Sequence, residues 1–354
     1  MRVLNRHHLK QGQWPAGAVY VGRGHPLGNP YRIGPDGDRG AVIAQYRARL
    51  VAKLDAGDRA IFAALRAMAE GTDLVCSCAP KPCHAEVIAD VWHKRIAPMP
   101  PAVFVFGSNL AGHHGAGAAR YAQAVFGAER GVGEGLSGRA YAIPTKDTRL
   151  KTLGVPEILP AVRRFLKYAA GHPGTEFVVT PIGTGLAGYP QDWIAPLFAA
   201  PGGALLFTDT GFEGVVPKPV IGRRVIVAGS RLITSCAMVF DALDRLAARW
   251  PERFEVICGE ARGVDTLGRK WAQARGYPVH SMPARWDALK IPSAVVLEKR
   301  GRRYNAQAGH DRNAWMAAYG THLVAFWDGH SRGTRSMIDL AKVCGLPVWV
   351  LKGK

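Results

Sequence analysis

The sequence predicts an α/β fold carried on three consecutive segments, and three observations predict it. Short β-branched runs alternate along the whole chain with stretches of apolar period 3 to 4, the pattern of strands exchanged with amphipathic helices. Two proline-containing seams, IAPMPPA at 96–102 and VVPKPVIG at 215–222, interrupt that alternation, and proline lacks the backbone donor that a helix or central strand needs. The chain has 354 residues, more than one core of roughly 150 residues requires. The expected domains are therefore 1–97, 98–219 and 220–354. The last is expected to hold an open, Rossmann-like parallel sheet.

Composition narrows the function classes. Hydrophobic residues make up 48% and charged residues 21%, which excludes a fibrous or largely disordered chain. No apolar run approaches the ~18 residues of a membrane span, and the start MRVLNRHHLKQGQW lacks the apolar stretch of a secretion signal, so a cytoplasmic protein with no membrane partner is expected. Lys and Arg number 46 against 27 Asp and Glu, a net charge of +19 that favours polyanionic partners such as nucleotides, DNA or RNA. By segment the basic and acidic residues number 14 and 8, 10 and 8, and 22 and 11, so the last segment contributes most of the field.

In the first segment, VYVGRGHPLGNPYRIG at 19–34 begins as a strand and continues as a Gly/Pro-rich loop. Its Arg23 and Arg32 can meet phosphate, and Asn29 lies between them. LVCSCAPKPCHAEVIADVW at 74–92 then supplies Cys76, Cys78, Cys83 and His84. Three uses stay open: buried structural thiols, a reactive or ligand-contacting Cys83 or His84 at the start of helix 84–92, or zinc. Cys-X-Cys followed by adjacent Cys-His is not a common zinc spacing, because neighbouring residues rarely converge on one tetrahedral ion. Disulfides are not expected. The segment resembles a domain family of bacteria and phages.

In the second segment, AVFVFG, RAYAIPT, EFVVTPIG and ALLFTD read as strands. FVFGSNLAGHHGAGAARYAQAVFG at 104–127 is a strand, a Gly-rich loop and a helix, a layout whose free backbone amides can cradle phosphate. TPIGTGLAGYPQDWIAPLF at 180–198 repeats the layout, and two such loops suit a diphosphate.

These residues resemble macrodomains. Asn109, Leu110, Gly115, Gly117 and Ala118 look like their first ligand loop. Ile182, Gly183, Thr184, Gly185, Leu186, Ala187, Gly188, Tyr189 and Pro190 look like their diphosphate loop. The resemblance implies a three-layer α/β/α fold and ADP-ribose as ligand, with Asn109 at the distal ribose. YAIPTKD at 141–147 is similar to the motif of the lysine-type, DarG-like branch that removes ADP-ribose from DNA, which implies Lys146 and Asn109 as catalytic residues. The departure is Ala187, where that branch tends to carry an acid. Asp147, His113 and His114 are substitutes to weigh.

In the third segment, RVIVAGS, FEVICG, THLVAFWD and PVWVL read as strands, with helices in DALDRLAARW, VDTLGRKWAQARG and SMIDLAKVCG. Three turns carry Gly, Ser, Arg or Thr between strand and helix, and in an open parallel sheet such turns share the carboxyl edge where ligands bind. GSR at 229–231, GEARGVD at 259–265, HDRN at 310–313 and WDGHSRGT at 327–334 resemble the YspA-like branch of the SLOG superfamily. That resemblance implies a nucleotide-derived ligand held by Gly229, Ser230, Arg231, Gly259, Arg262, Gly263, Asp265, Arg312, Asn313, Ser331, Gly333 and Thr334. The glutamate that lets some relatives cleave nucleoside monophosphates is replaced by Met337.

Three functions follow as expectations: hydrolysis of ADP-ribosyl linkages on nucleic acid or protein, non-catalytic sensing of an NAD-derived nucleotide in phage–host conflict, and nucleoside-phosphate N-glycosidase activity. Ala187 and Met337 favour the second; Lys146 and the charge favour the first.

Overall fold

The computed structural model describes residues 1–9, 14–199, 204–218 and 222–352. Mixed α/β architecture runs through it, and among the described residues no helix is long and apolar enough to cross a membrane. The chain divides into two compact units, one of residues 1–151, 168–186 and 202–213, the other of residues 152–167, 187–201 and 214–354. Each proposed segment has its own sheet, but the first two sheets share one unit. Residues 219–221 of the second proline seam lie outside the described residues.

The first unit opens with a small parallel sheet, order β1-β3-β2, of β1 (Val3–Asn5), β2 (Val19–Tyr20) and β3 (Leu74–Cys76). Helix α1 (Arg39–Asp55) begins where the Asp38 side chain accepts the Ala41 amide at 2.7 Å, and Asp58 likewise caps α2 (Arg59–Arg66). Helix α3 (His84–Val91) starts at a reciprocal box: Cys83 Sγ accepts the Ala85 amide, and Glu86 accepts the Cys83 amide. Leu27, Leu50, Leu65, Leu74 and Ile88 fill the core beneath.

The second sheet follows: β4 (Val103–Asn109), α4 (Gly117–Phe126), β5 (Gly135–Ser137), β6 (Ala140–Lys146), α5 (Val155–Ala170), β7 (Glu176–Val179), α6 (Gln191–Ile194), β8 (Ala204–Phe207) and α7 (Thr210–Gly214). Its order is β5-β6-β4-β7-β8, parallel except for the β5–β6 pair. Phe104 stacks on Phe126, and α2 is tied to this sheet by the Arg66–Glu176 ion pair. The Tyr121 hydroxyl donates to the Ala67 carbonyl at 2.8 Å. The 97/98 boundary therefore crosses a shared core.

The second unit contains β9 (Arg224–Gly229), α8 (Cys236–Ala247), β10 (Glu255–Cys258), α9 (Val264–Ala274), β11 (Val279–Ser281), the hairpin β12 (Val296–Lys299) and β13 (Arg302–Asn305), α10 (Ala308–Tyr319), β14 (His322–Trp327), α11 (Arg332–Val343) and β15 (Val348–Lys352). Five strands form an all-parallel sheet of order β11-β10-β9-β14-β15. The chain winds outward from β9 to β11, then crosses to β14 on the other side of β9. That reversal makes the carboxyl edge between β9 and β14 a switch point, where open α/β sheets form ligand crevices.

Candidate functional site

The crevice is present at that edge. A cleft of ≈ 610 Å³ is lined by the loop after β9 (Gly229, Ser230, Arg231), by Asp265, Arg312 and Asn313, and by Ser331, Gly333 and Thr334. A neighbouring hollow of ≈ 630 Å³ adds Gly259 and Arg262 and shares Arg231 and Arg312. Residues from all three strand-end turns line these two hollows.

Their glycines serve different purposes. A Cβ at Gly229 would strike Val264 and the Phe326 carbonyl, and one at Gly259 would run into the Arg312 guanidinium. Gly263 has φ +79° and packs on the Ser230 carbonyl. These three let the loops close on one another. A Cβ at Gly333 would meet nothing within 4 Å, so this position is open toward the cleft.

The charges are mostly spent inside the protein. Arg312 is 8% exposed; it donates to the Gly259 carbonyl and to Asn313 Oδ1 at 3.0 Å, and it lies 3.6 Å from Asp265. Burial raises the Asp265 carboxyl and lowers the Arg312 guanidinium, each against the pull of the other. Asn313 Nδ2 donates to the Gly333 carbonyl at 3.1 Å, tying α10 to the first turn of α11. Ser331 caps α11 by accepting the Thr334 amide and hydroxyl, so at this helix start the amides of 332 and 333 are the ones aimed outward. Arg231 is exposed at the rim of the cleft.

Sequence reasoning passed over three cleft residues. Asp328 accepts the Ser230 hydroxyl at 2.5 Å and the amides of His330 and Ser331 at 2.9 and 2.8 Å, which hold its carboxyl down at about 2. Its signal was the Asp-Gly after β14, a turn start that fixes the loop. Trp286 presents a half-exposed ring to both hollows, and His310 Nδ1 meets Ser336 Oγ at 3.0 Å beside the cleft. His310 opens the HDRN motif, whereas Trp286 carries no local sequence signal.

In the first unit, strands β6, β4 and β7 lie side by side and parallel, so Lys146, the 110–117 loop and the 180–186 turn share one sheet edge. Lys146 pairs opposite Asn109 across a β-bulge. Added Cβ atoms at Gly115, Gly117 and Gly185 meet nothing within 4 Å, as an open cradle requires. Ala118 begins α4. The Gly183 φ of +77° and the Thr184 hydroxyl bond to the Pro181 carbonyl at 2.8 Å shape the turn, and Leu186 is 72% exposed. Other expected partners are occupied. The Asn109 amide donates to the His113 carbonyl at 2.7 Å and accepts the His113 amide at 3.0 Å, bracing the loop instead of reaching out. Asp147 accepts the amides of Arg149 and Lys151 in its own turn, and the buried ring of His114 meets Ser108 Oγ at 3.2 Å. In the second unit Ala187 and Tyr189 are buried, Gly188 has φ +80°, and the Tyr189 hydroxyl donates to the Leu153 carbonyl at 2.7 Å.

The cysteines do converge, contrary to the expectation drawn from their spacing. Cys76 ends β3 and Cys83 caps α3, which brings the Sγ atoms of Cys76, Cys78 and Cys83 within 4.8 Å of one another, a group able to bind a metal ion. His84 Nδ1 lies 3.6 Å from Cys76 Sγ and 3.7 Å from Cys83 Sγ. His84 Nε2 lies 2.8 Å from the Val21 carbonyl, which requires a proton on Nε2 and leaves Nδ1 facing the sulfurs. The Cys83 thiol and His84 lower the Cys76 thiol well below its ordinary value. All six cysteines are free. The cluster floors a cleft of ≈ 670 Å³ that Arg23 and Asn29 also line.

The fold is mixed α/β with a Rossmann-like parallel sheet, and comparison with known proteins adds a nucleotide-related family. Residues 4–94 match the family described as Domain of unknown function (DUF4326), and residues 223–288 match the YspA, cpYpsA-related SLOG family. The chain is 33% identical over 130 residues to the Gene 61 protein of Mycobacterium phage D29, an alignment covering 36% of this chain and 94% of the phage protein. The chain belongs to the family of that phage protein. No solved structure matches it.

Proposed function

We propose that this is a nucleotide-binding protein whose C-terminal cleft takes the phosphate of a nucleotide-derived ligand between Arg231 and the start of α11. One observation carries the reading: the turns after three adjacent parallel strands meet at a switch point, with the open Gly333 at a helix N-terminus. The SLOG match supports a nucleotide-related function. Cleavage by the C-terminal cleft is not favoured, because Met337 is buried where a carboxylate would be needed. Calorimetry with AMP, ADP and ADP-ribose tests the reading. The wild type should bind at least one of them below millimolar, and Arg231→Ala should weaken that binding roughly tenfold.

A second reading concerns the first unit. Its two Gly-rich turns support ADP-ribose binding of macrodomain type, with Lys146 at the same sheet edge as nucleophile or electrostatic anchor. Asp147 is tied into its own turn, which favours capture over turnover. Gly185→Glu should abolish ADP-ribose binding by this unit, since the position is open and the change adds bulk and charge. Lys146→Ala should spare binding and remove any release of ADP-ribose from modified DNA; full release by that variant overturns the lysine mechanism.

For the cysteine cluster the proposed ion is zinc. Bonds of ~2.3 Å to sulfur and ~2.0 Å to nitrogen in a tetrahedron put sulfur and nitrogen about 3.6 Å apart, near the spacing of His84 Nδ1 from two of the three thiols. The same spacing serves thiol hydrogen bonds in the metal-free protein, so elemental analysis decides: one zinc per chain is expected, and none overturns the assignment.

A further inference from the structure

We propose that the N-terminal cleft is a separate binding site for a small, nucleotide-sized ligand, held by its phosphoryl groups between Arg6, Arg23, Arg32 and Arg39. The cleft measures ≈ 670 Å³, within the range of small-molecule pockets. Four guanidinium-bearing residues line it and no Asp or Glu does. Elsewhere in this unit arginines sit against carboxylates: Arg2 on Asp73 at 2.7 Å, Arg47 on Asp90 at 2.5 Å, Arg59 on Glu213 at 2.9 Å and Arg95 on Asp55 at 2.6 Å. Among the described residues the four cleft arginines have no such partner. Four like charges around one concavity repel one another, and an entering anion relieves that.

Four guanidinium groups around one concavity suit a ligand with two phosphoryl groups. Two of the arginines are steadied without being used up. Arg6 donates to the Tyr20 hydroxyl at 3.1 Å, and Arg39 donates to the Pro82 carbonyl at 3.3 Å. Each guanidinium has five donors, so most remain for phosphoryl oxygens. Ile33, 54% exposed, and Tyr31 offer an apolar wall to the rest of the ligand.

Arginine footprinting on the full chain tests this, because it reads each site separately and does not depend on the C-terminal cleft. Phenylglyoxal modification is followed by mass spectrometry with and without inorganic pyrophosphate and, in a parallel arm, ADP. Pyrophosphate at ten times its dissociation constant should slow modification of Arg23, Arg32 and Arg39 roughly tenfold while leaving the exposed Arg49 and Arg130 unchanged. Substituting Arg23→Ala together with Arg32→Ala, both exposed, should remove the protection of Arg39. ADP protecting at a lower concentration than pyrophosphate supports the nucleotide-sized ligand. Unchanged rates at all cleft arginines, equal slowing at Arg49 and Arg130, or ADP failing where pyrophosphate succeeds would overturn the proposal.

Discussion

The C-terminal segment carries 22 basic residues against 11 acidic ones and the N-terminal segment only 14 against 8, yet their clefts rank the other way. In the C-terminal cleft Arg231, Arg262 and Arg312 face Glu260, Asp265 and Asp328. In the N-terminal cleft four arginines face no carboxylate. The difference teaches that a segment's net charge does not set the field in its cleft. Pairing does: Arg312 is a buried strut between Gly259, Asn313 and Asp265, whereas Arg23 and Arg32 are exposed and have no carboxylate partner among the described residues.

The sharpest way to break that contrast is to remove one arginine from each cleft. Arg312→Ala strips the buried Asp265 of its counter-charge and the Gly259 carbonyl of its donor, and should destabilise the fold by about 3–5 kcal/mol. Arg23→Ala should change stability by less than ~0.5 kcal/mol. Chemical denaturation of both variants measures this. Equal effects would mean that the two clefts use arginine in the same way.

A smaller effect concerns a C-terminal carboxyl whose titration burial moves up to neutral pH. Asp311 is fully buried on α10, neither carboxyl oxygen has a hydrogen-bond partner among the described residues, and burial raises it to about 7. An unfolded chain loses that proton near pH ~4. Between roughly pH 4 and 7 the folded state therefore binds more protons than the unfolded one, and stability falls as pH rises through this window. Asp311→Asn should remove that fall, a difference on the order of 2–4 kcal/mol at pH ~8. Identical pH profiles of the two proteins would show that the carboxyl is partnered or solvated.

What the sequence made legible follows the same division. The turns after β9, β10 and β14 were readable because Gly, Ser, Arg and Thr interrupt β-branched runs at strand ends. Helix α10 was not: HDRN was visible as a motif, but residues 311–319 are buried on every side, so the helix lacks the apolar stripe that marks an amphipathic segment. Asp328 sat inside a recognised motif, but its role as a loop cap depends on Ser230, nearly a hundred residues earlier in the chain. The cysteines misled for a related reason. Spacing alone speaks against convergence, whereas the end of β3 and the start of α3 bring Cys76 and Cys83 together beside His84 Nδ1. Arg6 and Arg39 carry no local pattern at all, and only the fold puts them on one cleft with Arg23.

The central claim is that the C-terminal switch point is where a nucleotide binds, and amide hydrogen exchange of the full chain with and without saturating ADP-ribose tests it most directly. Slowed exchange is predicted in the loop at 229–232 and at the start of α11, 330–335, with Arg231→Ala losing that protection. Saturation by ADP-ribose and by ADP that leaves both stretches exchanging at their free rates would contradict it.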